Sequence, residues 1–111
     1  MYTLVELWSP KPRWIDASRQ EREAFMAGVG RAMQQLSAMG VQVVTWCRND
    51  ADTSQRSEFT YFAVWQFPSL DVARGFEAAV QTSGWYDYFE HHNLRGASRT
   101  PQDVIGEHIA M

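Results

Sequence analysis

One acidic side chain in this 111-residue chain stands where a charge is out of place. Glu6 lies within Tyr2-Thr3-Leu4-Val5-Glu6-Leu7-Trp8, a run of strand composition, and alternation puts it on one face with Leu4 and Trp8. Burying a carboxylate costs several kcal/mol unless it is paired. An apolar pocket raises its pKa and suits it to work as a general base or acid. The competing reading is a salt bridge to Arg48 or Arg95 across a sheet, or a position at a wet rim.

The second chemical group is His91-His92-Asn93. Neighbouring strand residues point to opposite faces, so only one of the two histidines can share a site. His92 is the second catalytic candidate and His91 is placed at the edge of a ligand site. The sequence leaves open which of them faces inward. A metal needs at least three ligands, and only His108, remote in the chain, could join them, so no metal is expected. Cys47 sits in a strand with no activating partner and cannot pair within the chain. There is no G-x-S-x-G elbow. Gly28-Val29-Gly30 falls inside a helix, the wrong context for a phosphate loop. No cofactor is expected.

Five Trp, four Tyr and six Phe are many for so short a chain, and each can bury about 150–250 Å2. Tyr61 and Trp65 share a strand face and, with Trp8 and His91, are candidates to bind a planar ligand. The competing reading is packing in a core. Trp46 and Arg48 could add a further wall.

The elements that must position these residues follow in order. A strand over residues 2–8 ends at Pro10 and Pro12. Ser18-Arg19-Gln20-Glu21 has the form of a capping box, and Phe25, Val29, Ala32, Met33 and Leu36 follow helical spacing as far as Gly40. Gly28 and Gly30 inside that helix suggest close packing on a sheet. Residues 41–48 and 58–67 read as strands, with a polar, mobile loop from Asn49 to Ser57 between them. Pro68-Ser69 opens a second helix carrying Val72, Ala73, Phe76 and Val80, which Gly84 closes. A short amphipathic turn spans Trp85 to Glu90, and a fourth strand covers His91 to Ser98. Thr100-Pro101 starts a terminal helix with Val104, Ile105 and Ile109. The expected fold is one α+β domain over 1–111 of ferredoxin-like β-α-β-β-α-β order, with strands one and three central and adjacent.

A net charge of −3 disfavours nucleic acid. No apolar run is long enough to cross a membrane, and the opening residues carry no signal-peptide pattern, so the cytoplasm is the expected location. Neither face of strands two and three alternates with polar residues as a solvated sheet does. Something is expected to cover the second face: a second copy of the sheet, forming a homodimer.

Trp65-Gln66-Phe67-Pro68-Ser69, followed by Ala73 and Phe76, resembles the strand-to-helix junction of the dimeric α+β barrel superfamily. That superfamily includes antibiotic-biosynthesis monooxygenases, haem-degrading monooxygenases and stress-responsive barrel proteins. Gly84-Trp85-Tyr86-Asp87-Tyr88-Phe89-Glu90 is similar to an uncharacterised bacterial group within it. The junction here has two residues more than usual between Trp65 and Ser69. The resemblance implies a cavity between sheet and helices, lined by Trp65 and Glu6, in which some members oxidise aromatic substrates without metal or flavin. Haem is not implied, because Ala73-Arg74-Gly75-Phe76-Glu77 lacks the His of the haem-degrading relatives. The functional expectation is a cofactor-free monooxygenase or isomerase acting on a planar aromatic or polyketide-like molecule. The alternative is a non-catalytic small-molecule-binding or stress-related dimeric protein.

Overall fold

A computed structural model describes all 111 residues. Four strands, β1 (Tyr2–Pro10), β2 (Gln42–Arg48), β3 (Tyr61–Phe67) and β4 (Phe89–Ala97), form one antiparallel sheet in the order β2-β3-β1-β4. Five helices accompany it: α1 (Pro12–Ile15), α2 (Arg19–Ala38), α3 (Leu70–Thr82), α4 (Trp85–Tyr88) and α5 (Pro101–Ile109). The molecule is a mixed α+β domain with β1 and β3 at its centre. Register pairs Glu6 with Ala63 on one side and Asn93 on the other, and Trp8 with Tyr61 and His91.

The core occupies the side of the sheet that meets α3. Leu4, Glu6 and Trp8 of β1 and Ala63, Trp65 and Phe67 of β3 alternate into it, against Ala73 and Phe76 of α3, Trp85 of α4 and Phe89 of β4. Burial of a Phe67 or Leu4 side chain contributes about 1.5–3 kcal/mol. α3 starts at Ser69, whose hydroxyl accepts from Val72 N at 3.2 Å. It stops at Gly84, whose φ of +87° favours a residue without Cβ.

Three sequence expectations change. β3 begins at Tyr61, not Glu58, because side chains take the backbone groups ahead of it: Ser9 Oγ accepts from Thr60 N at 3.0 Å, and Asn49 Nδ2 donates to Phe59 O at 2.8 Å. The 49–57 loop, expected to be mobile, is tied down. Asn49 Nδ2 also donates to Ser57 O, and the Arg56 guanidinium donates to the carbonyls of Asn49, Asp50 and Ser57. The third concerns α2, which buries none of its 20 residues. A Cβ on Gly30 would meet nothing within 4 Å, and one on Gly28 only an Arg31 nitrogen at 3.6 Å. The glycines do not mark close packing on the sheet. α2 stands off from it, held at its start by Ser18, whose hydroxyl accepts from Glu21 N.

The other sheet face carries Val5, Leu7, Phe62 and Val64, half-buried, and Leu94, 64% exposed. α5 begins with a full capping box between Thr100 and Asp103, yet none of its residues is buried. The radius of gyration is 16.1 Å, against about 13 Å for a compact domain of this length. No helix is long and apolar enough to cross a membrane.

Candidate functional site

Between the sheet and the stood-off α2 lies a cavity of about 380 Å3. Phe25, Val29 and Met33 of α2 form its roof, Phe76 of α3 a side wall, and Trp46 and Trp65 of the sheet part of its floor. Glu6 is the one ionisable side chain among the 15 lining residues, 12 of which are hydrophobic.

Glu6 is 6% exposed. Trp65 Nε1 donates to its Oε1 at 2.6 Å, and His91 Nε2 lies 3.4 Å from its Oε2. Burial pushes the carboxyl up to about 7, against the opposing pull of the Trp65 hydrogen bond. The group therefore exists in both protonation states near neutral pH, as a general base or acid requires. Neither arginine considered from the sequence pairs with it. Arg95 bonds Glu77 of α3, and Arg48 lies over the Tyr61 ring. Burial pushes His91 below its ordinary value, a hydrogen bond to Asn93 opposing. Burial raises Tyr86, and hydrogen bonding to Asn93 opposes it.

The sequence-selected residues separate into four positions. Glu6 and Trp65 line the cavity, with Trp65 beneath the helices and still facing the open space. Trp8 and His91 stand behind them, their rings stacked at 6.5 Å. Tyr61 stacks on the far side of Trp8 at 6.0 Å, outside the cavity wall. His92 is the correction: it pairs with Leu7, exposed, on the sheet face opposite Glu6, and packs on Phe59. A sheet lies between His92 and the carboxylate, so it cannot exchange a proton with a molecule in this cavity. Nowhere do three or more His, Cys, Asp or Glu side chains converge in a way that could hold a metal ion.

The model of a family of unknown function (DUF6616) matches residues 1–111, the whole chain. The chain belongs to this family. Among solved structures, this DUF6616 chain is similar to one described as the crystal structure of methylated RPA0582 protein, with 18% identity and a TM-score of 0.58. The match covers 90% of this chain and 82% of that one. At that identity the likeness concerns the fold alone. None of the curated proteins matches the chain.

Sequence reasoning missed Trp85 as a site residue. Its indole N–H donates to His91 Nδ1 at 3.0 Å, and its ring lines the cavity and lies 5.6 Å from Trp8. The run Trp85, Tyr88, Phe89 marks an apolar face but says nothing of which strand that face meets. Phe25 and Phe76 were legible as members of helical stripes, not as walls of open space.

Proposed function

We propose that this cavity binds a small, largely apolar planar molecule bearing one acidic O–H, and that Glu6 removes that proton. The observation that carries the reading is a single carboxylate, poised near neutrality, in an otherwise apolar cavity. Deprotonating a phenol or enol generates an electron-rich carbon. In an isomerisation the proton returns at another atom. In a cofactor-free oxygenation dioxygen is the oxidant and the substrate supplies the electrons: one ring carbon gives up two hydrogens and gains one oxygen atom as a carbonyl, and the other oxygen leaves with those hydrogens as water. The indoles of Trp46, Trp65 and Trp85 supply aromatic surface, worth about 0.5–1.5 kcal/mol per ring pair beyond burial.

The test is titration with naphthols and hydroxyanthraquinones, following tryptophan emission and then oxygen uptake or product absorbance. Saturable binding with turnover that Glu6→Gln abolishes is the expected result. Absence of binding across the panel sinks the reading. Binding that Glu6→Gln leaves intact, without turnover in either protein, favours the second reading of a non-catalytic binding or stress-related protein, which the predominance of hydrophobic lining residues supports.

We further propose a ferredoxin-like, dimeric barrel arrangement in which a second copy covers the other sheet face. Supporting it are the apolar Val5, Leu7, Phe62, Val64 and Leu94 on that face and an α5 that exposes Val104, Ile105 and Ile109. A standard interface of about 1,600 Å2 suits a sheet of this size. Light scattering should give twice the chain mass at micromolar concentration; a folded monomer refutes the arrangement.

A further inference from the structure

His91 has three polar neighbours, and their chemistry leaves one placement for its proton. An indole N–H can only donate, and that of Trp85 points at His91 Nδ1 from 3.0 Å. Nδ1 must offer a lone pair. The ring proton then sits on Nε2, where the acceptors are: Asn93 Oδ1 at 2.7 Å and Glu6 Oε2 at 3.4 Å. A charged imidazolium would set Nδ1–H against the indole N–H, donor against donor, in a place where water does not replace the lost bond.

The local structure enforces this. Trp85 opens α4 directly after the left-handed Gly84, its backbone N–H donates to Ser83 Oγ at 3.2 Å, and its indole stacks on Phe89 with ring centroids 4.2 Å apart, which orients the indole N–H. The imidazole plane is held within 12° of Trp8, its register partner. Asn93 faces Glu6 directly across the β1–β4 pair.

We propose that Trp85 holds His91 as the neutral Nε2–H tautomer, making His91 a positioning residue that donates to Asn93 beside Glu6 and takes no proton from a ligand. The inference rests on the reading of Glu6 as the base, and it makes Glu6 the single proton acceptor of the site. A relay needs both ring nitrogens free to exchange, and one is occupied, so the carboxyl trades its proton on the cavity side. The other titratable or charged groups around the pair are Tyr86 of α4, 5.1 Å from the His91 ring, Glu77 of α3 bound to Arg95, Lys11, which donates to Tyr86 O, and His92 beside it on β4.

The five indole N–H signals of the 15N-labelled chain report the two bonds separately and need no ligand. The Trp65 indole should titrate with a midpoint at about 7, following Glu6. The Trp85 indole should hold its shift through that range, and long-range 15N correlations should show a bare Nδ1 and a protonated Nε2 on His91. Trp85→Phe should leave the fold intact and raise the pH at which His91 takes a second proton on Nδ1, because the opposing indole donor is gone. Glu6→Gln should leave the His91 tautomer unchanged, since the bonds to Trp85 and Asn93 set it. A protonated Nδ1, Trp65 and Trp85 signals titrating together, or loss of the tautomer in Glu6→Gln would overturn the proposal. If the tautomer is as stated and no ligand binds, the function fails and this does not; turnover with His91 in the other tautomer is the reverse.

Discussion

Replacing Glu6 by Gln removes a titration while keeping the shape of the site, and stability as a function of pH reads the loss directly. The folded carboxyl sits at about 7 against an ordinary 4.5. Between those values the folded protein holds a proton that the unfolded chain has released, so stability falls as pH rises from about 4.5 through about 7 and is level outside that window. At 1.36 kcal/mol per unit the full effect is about 3 kcal/mol, a large share of the ~5–15 kcal/mol of a typical domain. From pH 5 to pH 8 the chain should lose about 2–3 kcal/mol relative to Glu6→Gln, whose amide oxygen can still accept from Trp65. With an m-value of ~1–3 kcal/mol/M, that is a urea midpoint lower by about 0.7–3 M. His91, whose folded pKa is depressed, works with the opposite sign below 6.5, and it is common to both proteins, so it drops out of the difference. Urea curves by circular dichroism at the two pH values decide it. Parallel profiles, or the natural chain gaining on the variant toward pH 8, would refute a destabilised buried carboxylate.

Three further substitutions probe the frame. Gly30→Ala should raise stability by about 0.5–1 kcal/mol, because the added methyl meets nothing and the helix gains propensity; a loss in the same urea assay would mean that α2 packs more tightly than described. Asn49→Ala should cost about 1–2 kcal/mol by releasing the carbonyls of Ser57 and Phe59, and should increase proteolysis within the 50–57 loop. Ala63→Leu should cost about 1–3 kcal/mol, since Ala63 is fully buried opposite Glu6 and Trp46; a neutral thermal melt there would count against the register.

Glu6 was legible because a lone charge interrupts an alternating apolar strand, and period two alone places it with Leu4 and Trp8. The strands and the two long helices were legible for the same reason: their apolar spacing repeats often enough to declare a period. α1, a single turn at Pro12–Ile15, has no repeat to show, and its prolines read only as a stop. The histidine pair shows where pattern gives out. Parity says that one of His91 and His92 faces Glu6. Which one depends on the β1–β4 register, and that is set by the whole sheet. The partnership of Trp85 with His91 lay further out of reach, since it depends on a one-turn helix folding back on a strand. The roof of the cavity was misjudged because glycines in a helix are equally consistent with close contact and with open space.

That roof has a consequence for which parts of the chain open first. α2 contributes side chains to the cavity but buries no residue of its own, so lifting it exposes far less apolar surface than separating β1 from β3. Its amide protons should exchange through a local opening well below the global unfolding free energy, while those of Leu4 and Trp65 exchange only at the global limit. The same opening would widen the way for a planar molecule to reach Glu6. A bound molecule would close it again, and at a concentration 100 times its dissociation constant would raise the α2 opening free energy by about 2.7 kcal/mol. Hydrogen exchange along a single helix can thus measure occupancy of the cavity before any reaction is known.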